Sequence, residues 1–406
     1  MEAKIDTILL EGIAASAFLT DLDDAEDVLA ELFEKENSAD IRHRIDVLRQ
    51  EHDAGLGQVP APAERLANLR TKLVTLQLHG FLIPLADGHQ GEFIAKRSQR
   101  LAWLTGFGGS AGIAIVLADK AAIFVDGRYT LQVRNQVDEE AFSPVSLAET
   151  KPEEWLRDNL QKGARLGFDP WLHTSAGTAR FRSACTDAGA ELAPVDRNPV
   201  DLVWAEQPPV PLGPVMSLSE THTGAMSTEK RRQFSDDLKA AKCVASVLSA
   251  PDSIAWLLNI RGSDVPNSPL ALGYAIVHLS GDIEWFIDPR KIPPSTRNNL
   301  DSGISICPPE GFDDGLAALA GAKGSVRVDP ASAPEWIRLT LDAADVSLSA
   351  GADLCVLPKA RKNETEIAGT REAHIRDGAA LTTFLAWLAE SAPKGGVTEI
   401  SAADHL

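Results

Sequence analysis

The chain has 406 residues, 58 of them Asp or Glu against 39 Lys or Arg, for a net charge of −19. That balance excludes a nucleic-acid-binding role, which needs basic side chains to displace counterions from phosphates. No apolar run approaches the roughly 20 residues of a membrane span, and the length predicts two to three domains.

Residues 1–58 hold fifteen acidic and five basic side chains and read as two acidic amphipathic helices. Val28, Leu29, Leu32 and Phe33 share one face of the first, and Ile41, Ile45 and Leu48 one face of the second. Thr20 is placed to cap the first helix. The carboxylates read as a solvated face rather than a cation site, since a calcium loop alternates its ligands around a glycine. The apolar stretch 8–19 fails as an export signal, because Glu2 and Asp6 precede it and Glu11 interrupts it. The four cysteines are widely spaced, without a C-x-x-C pair, and read as reduced thiols of a cytoplasmic protein. The Gly- and Pro-containing run 54–62 reads as a linker.

The folded part then opens with a predicted helix over 64–77 and a strand over 80–85. Next come a short helix ending in Ala102-Trp103-Leu104, a glycine-rich turn, and two apolar runs split at Asp119-Lys120, the pattern of a β-hairpin. A helix over 152–161 and a strand over 165–168 follow, the strand ended by Asp169-Pro170. The proline-rich run 205–214 disfavours helix and strand interiors and marks a boundary.

Beyond it the pattern returns. A helix is expected after Ser227, with Ser227 as its capping residue. Ala255-Trp256-Leu257, a second hairpin split at Ser280-Gly281-Asp282, and Val328-Asp329-Pro330 repeat the earlier order. Trp256 answers Trp103, and Asp288 and Arg290 answer Asp126 and Arg128. A repeat of this length means a duplicated domain, since solenoid repeats recur at about 20–50 residues. The chain ends in a long helical stretch, 363–392, opened by an Asn363–Glu366 capping box. Its apolar stripe is Leu381, Phe384, Leu385 and Leu388, and Pro393 stops it. Thr398 starts one more helix. Amphipathic helices need cover, so these two read as the opening of a third domain.

Several clusters invite a chemical reading. Gly108-Gly109-Ser110-Ala111-Gly112 matches a nucleophile elbow in letters, but that motif needs a strand before the serine and a helix after it. Here the order is reversed, so a plain turn is expected. The same glycines precede no helix that could bind phosphate. Asp87, His89 and Glu92 fit no common zinc spacing and read as a hydrogen-bonded loop. His278 reads as a packed strand residue, and His374 has no partner ligand at metal-binding spacing. Arg128 stays open: its planar fork could grip a substrate carboxylate or carbonyl, or pair internally with Asp126.

Together the strings ADGHQGEFIA, LTGFGGSAG, VDGRYTLQV, SIAWLLNIRGSDV, KNETEIAGTREAHIRDG and PKGGVTEISAAD resemble the cytosolic three-domain aminopeptidase P, or Xaa-Pro aminopeptidase, group of the creatinase-type metallopeptidases. The resemblance runs from Pro62 to the last residue. It implies an α/β fold of two tandem duplicated creatinase-N-type domains, each a mixed sheet with flanking helices, followed by the first helices of a truncated pita-bread domain. The divisions expected are an acidic helical extension over 1–58, domains over 59–214 and 215–357, and the start of the catalytic domain over 358–406. In that family two divalent metal ions, usually manganese, activate a water that attacks the carbonyl before a proline. The metal ligands belong to the pita-bread domain, so no catalytic or metal-binding residue is expected in this chain, nor any bound metal. Arg128 alone carries over, as a substrate contact at the cleft mouth. The partners implied are peptides with proline second and a second copy in a homodimer, with neither nucleic acid nor membrane. The alternative is an inactive homologue serving as a dimerisation or regulatory module.

Overall fold

The structure, a computed structural model, describes residues 60–406; the acidic helices read over 1–58 lie outside the described residues. Helix α1 (Pro62–Thr75) starts on a proline, whose missing N–H costs nothing at that position, and buries Leu66, Leu69 and Leu73 along one stripe. Strand β1 (Gly80–Pro84) follows, then helix α2 (Arg100–Thr105). Strands β2 (Ile113–Leu117) and β3 (Ala121–Val125) form the expected hairpin, its turn closed by Leu117 N–H donating to Lys120 O at 2.8 Å. Strand β4 (Ser143–Ser146), helix α3 (Pro152–Asn159), strand β5 (Arg165–Phe168), helix α4 (Ser175–Asp187) and strand β6 (Glu191–Pro194) complete the unit.

The strands are ordered β4-β3-β2-β1-β5-β6, and only β2 runs against the rest. Alternation of side chains across the pleat divides the apolar residues between two faces. Phe81, Ile83, Val116 and Ile123 pack with α1 and α2, while Leu82, Ile115 and Phe124 pack with α3 and α4. Each fully buried Leu, Ile or Phe contributes about 1.5–3 kcal/mol, so a sheet covered on both faces is the main source of stability.

The second unit repeats this order: helix α5 (Ser227–Ala240), strand β7 (Cys243–Leu248), helix α6 (Pro251–Leu258), strands β8 (Tyr274–His278), β9 (Ile283–Phe286) and β10 (Ile304–Cys307), helix α7 (Phe312–Ala317), strand β11 (Ser325–Val328), helix α8 (Glu335–Ala343) and strand β12 (Leu348–Ala350). Its sheet runs β10-β9-β8-β7-β11-β12, the first sheet's order with every number raised by six. One sequence expectation fails here. Met226, not Ser227, caps α5: Glu229 Oε2 accepts from Met226 N–H at 3.3 Å, and Ser227 Oγ is buried inside the first turn without a partner among the described residues.

Both copies hold their tryptophan in the same way. The fourth residue of each opening helix is a cation over the indole: Arg65 lies 5.3 Å from the Trp103 ring and Lys230 lies 4.5 Å from the Trp256 ring. Each also donates to its tryptophan's carbonyl oxygen.

The two units meet reciprocally. Trp336 N–H donates to Pro170 O at 3.0 Å, and Ala176 N–H donates to Pro330 O at 3.2 Å. Thr174 forms a β-bridge with Pro334. Pro170 and Pro330, Thr174 and Pro334, and Ala176 and Trp336 are counterparts, each pair 160 positions apart. Residue 174 therefore sits against its own counterpart, the signature of an isologous, two-fold interface formed within one chain.

Helix α9 (Glu364–Ser391) begins at the expected cap. Asn363 Oδ1 accepts from Glu366 N–H at 2.9 Å, Glu366 Oε2 accepts from Asn363 N–H at 3.0 Å, and Asn363 Nδ2 ties the cap to Thr223 O at 2.8 Å. No residue of α9 is buried, and Leu381 and Leu385 stand exposed. Helix α10 (Glu399–His405) starts after Thr398 and folds back so that His405 stacks on Trp387 at 3.7 Å.

Candidate functional site: the carboxyl edge of the first sheet

Because only β2 is reversed, the carboxyl ends of five strands of the first sheet collect along one edge, where open α/β sheets bind ligands. Three loops meet there: residues 85–92 after β1, the glycine turn before β2, and Asp126–Tyr129 after β3.

In the first loop Asp87 turns inward. Its Oδ1 accepts from His89 N–H at 2.9 Å and from Gly91 N–H at 3.2 Å, while Oδ2 is buried without a partner among the described residues. The His89 ring points away, with Nδ1 3.0 Å from Ser249 O and its face stacked on Tyr274 at 4.5 Å. Burial pulls the imidazole below its usual range. Glu92 is exposed. The three groups diverge, which is a loop held by hydrogen bonds.

In the second loop Gly106 ends α2 at φ +82°, and a Cβ at Gly109 would lie 2.2 Å from the Phe107 ring. The exposed Ser110 hydroxyl lies 2.6 Å from Tyr129 OH. A helix precedes this serine and a strand follows it, and its partner is a phenol rather than a base, so the elbow reading has no support. The Ser110 contact draws the Tyr129 phenol below its usual range.

In the third loop Asp126 Oδ1 accepts from Arg128 N–H at 2.9 Å. The carboxylate also takes Arg128 Nε at 3.1 Å and Nη2 at 2.7 Å. These hydrogen bonds hold the Asp126 carboxyl below, and the Arg128 guanidinium above, their ordinary values. The guanidinium is 64% exposed, lies 5.0 Å from the Tyr129 ring centre, and feels the charge of Glu92. Its Nη1 makes no hydrogen bond to a described residue. The two sequence readings of Arg128 are therefore compatible: one edge of the fork is spent on Asp126 and the other is open. Arg290 repeats the pair with Asp288 at 2.6 Å.

The remaining candidates are accounted for locally. His278 pairs with Glu284 across its hairpin at 2.7 Å, and exposed His374 has Nδ1 2.9 Å from Thr370 O. Among the described residues no three His, Cys, Asp or Glu side chains are grouped to hold a metal ion. Sequence reasoning missed the junction between the copies, where Trp171, Tyr274, Phe312 and Trp336 form one aromatic cluster. A cleft of about 670 Å³ opens beside it. The only signal was the repeated Asp-Pro after β5 and β11.

Comparison with known proteins agrees with this architecture. Residues 65–202 and 206–366 each match a creatinase/prolidase N-terminal domain. The chain is 35% identical over 356 residues to a probable Xaa-Pro aminopeptidase P of Coccidioides posadasii, covering 85% of this chain and 58% of the relative. It is 34% identical over 358 residues to that of Aspergillus clavatus, covering 85% and 54%. Among solved structures it is similar to X-prolyl aminopeptidase from Caenorhabditis elegans, described as a cytosolic enzyme with a di-nuclear active site. That match has a TM-score of 0.78 and 31% identity, over 85% of this chain and 59% of the other. The chain thus spans a little over half the length of the relatives it matches.

Proposed function

The chain belongs to the creatinase/prolidase family through two consecutive N-terminal-type domains, and from that premise we propose that it supplies these domains to an Xaa-Pro aminopeptidase-type metallopeptidase. Such an enzyme removes the first residue from peptides whose second residue is proline. The observation that carries the reading is the agreement, over 85% of the chain, with both the fungal relatives and the nematode enzyme. The reading includes two divalent metal ions, manganese in kind, a cytoplasmic setting and a homodimer. The described residues offer no ligand set for those metals.

Arg128 has the chemistry of a substrate contact. The nitrogen of an Xaa-Pro bond carries no N–H, so around that bond the peptide presents carbonyl acceptors, which call for a donor. Arg128 Nη1 is a donor without a partner among the described residues, held in place by the Asp126 pair.

Two measurements test this reading. The 406-residue chain alone should not release Xaa from Xaa-Pro peptides; chelator-sensitive turnover by it would overturn the placing of the ligands elsewhere. In an enzyme extended through the relatives' full length, Arg128→Ala should lower kcat/KM about tenfold, as expected for one charge-assisted hydrogen bond, with an unchanged melting temperature. Absence of turnover by that longer enzyme would favour the regulatory-module alternative. Turnover indifferent to Arg128 would leave only the ion pair with Asp126.

A further inference from the structure

The cleft beside the junction has two kinds of wall. Its apolar wall is Trp171, stacked on Trp336 at 4.0 Å, together with Phe312, stacked on Tyr274 at 4.8 Å. Its rims are charged and come from different domains. Several of these charges are already engaged: Arg97 donates to Pro208 O at 2.8 Å, Arg100 grips Asp201 at 2.7 and 2.8 Å, and Asp169 accepts from Trp171 N–H and Asn198.

Four keep unfilled hydrogen-bonding capacity, although the charge of one, Glu310, is felt by the exposed Arg290 guanidinium. Asp196 and Arg197 follow β6 on the first domain, and Glu310 and Asp313 flank the start of α7 on the second. None makes a hydrogen bond or salt bridge to a described residue. Burial and the neighbouring Asp314 hold the Asp313 carboxyl above its usual range, so it gains from a cationic partner. A volume of this size falls within the range of about 300–1,000 Å³ common for small-molecule sites, which favour domain boundaries and aromatic walls.

We propose that this cleft binds a short zwitterionic peptide of two or three residues. Its carboxylate meets Arg197, its ammonium meets Glu310 and Asp313, and an apolar side chain lies against Trp171 and Phe312. The ligand bridges the two domains, so binding tightens their junction and stabilises the native chain by mass action. Arg128 is not in the lining, and the inference stands apart from the peptidase reading.

Calorimetry on the 406-residue chain with alanyl-phenylalanine, its N-acetyl form and its C-terminal amide tests the proposal. The free dipeptide is expected to bind, and blocking either terminus to weaken binding about tenfold, as loss of a charged contact does. Arg197→Ala and Glu310→Gln, both at exposed positions, should each weaken it about three- to tenfold while leaving the melting temperature of the free chain unchanged. No heat at about 10 mM dipeptide, an affinity below any specific site, would overturn the proposal. So would an amide that binds as well as the free acid, which marks a simple cation site, or variants that bind like the parent.

Discussion

Replacing His173 by Leu should spare this chain about 2 kcal/mol of its loss of stability in acid. The ring is 6% exposed, sits edge-on between Phe168 and Phe181, and leaves Nε2 buried without a hydrogen-bond partner among the described residues. Burial alone lowers its pKa from 6.5 to about 4. Above pH 6.5 the imidazole is neutral in both states and the folded chain carries no penalty. Between pH 6.5 and 4 the unfolded chain binds a proton that the folded chain refuses, so stability falls with pH and the loss is complete near pH 4. Two and a half units correspond to about 3 kcal/mol, of which about 2.5 kcal/mol is already lost at pH 4.5. Urea unfolding at pH 7 and pH 4.5, for parent and His173→Leu, isolates this group, because every carboxylate titrates in both proteins. The parent should lose about 2 kcal/mol more than the variant. If the two lose stability in parallel, His173 is already charged in the fold, or water reaches it, and the reasoning fails.

Two further perturbations probe the second domain and the helix that follows it. Lys291 and Asp264 form a buried ion pair at 2.8 Å, with exposures of 3% and 0%; Lys291→Met should cost about 3–5 kcal/mol by stranding the carboxylate, and adding Asp264→Asn should recover part of it. Denaturant midpoints decide, and a single variant no weaker than the double would count against the pair. Asn363→Ala removes the cap of α9, a helix without a buried residue, at a cost of about 1 kcal/mol. Amide exchange in its first turn should quicken, and unchanged exchange would mean that the helix is held by something other than its cap.

Much of the fold was legible because each strand is a short apolar run between turn formers, and because the elements of the first domain recur in the second. The hairpins, the strand over 165–168 and the Asn363–Glu366 box are local features, set by residues within a few positions of one another. Ser227 shows the limit of that reasoning: a good capping residue loses the role when the chain turns one residue earlier and Glu229 reaches back to Met226. Arg128 shows another limit. Sequence could name both partners but not reveal that the Asp126 pair leaves Nη1 open. The junction was hidden for a different reason, since Trp171, Tyr274, Phe312 and Trp336 meet only through tertiary packing and no local period connects them.

The duplication also explains why the candidate site falls on the first copy and not the second. Both copies keep the Asp-x-Arg pair with nearly the same geometry, so that pair is a shared structural device of the strand end. The next residue differs. In the first copy it is Tyr129, whose hydroxyl meets exposed Ser110 and leaves the loop edge polar and open. In the second it is Lys291, drawn inside to Asp264, whose carboxylate also accepts from Gly213 N–H and Leu272 N–H and so locks the corresponding loop shut. A buried ammonium tied to Asp264 and to Leu272 O cannot serve a ligand, whereas a half-exposed phenol beside a guanidinium edge unpaired among the described residues can. One position after the common arginine thus separates a copy that presents its edge from a copy that seals it.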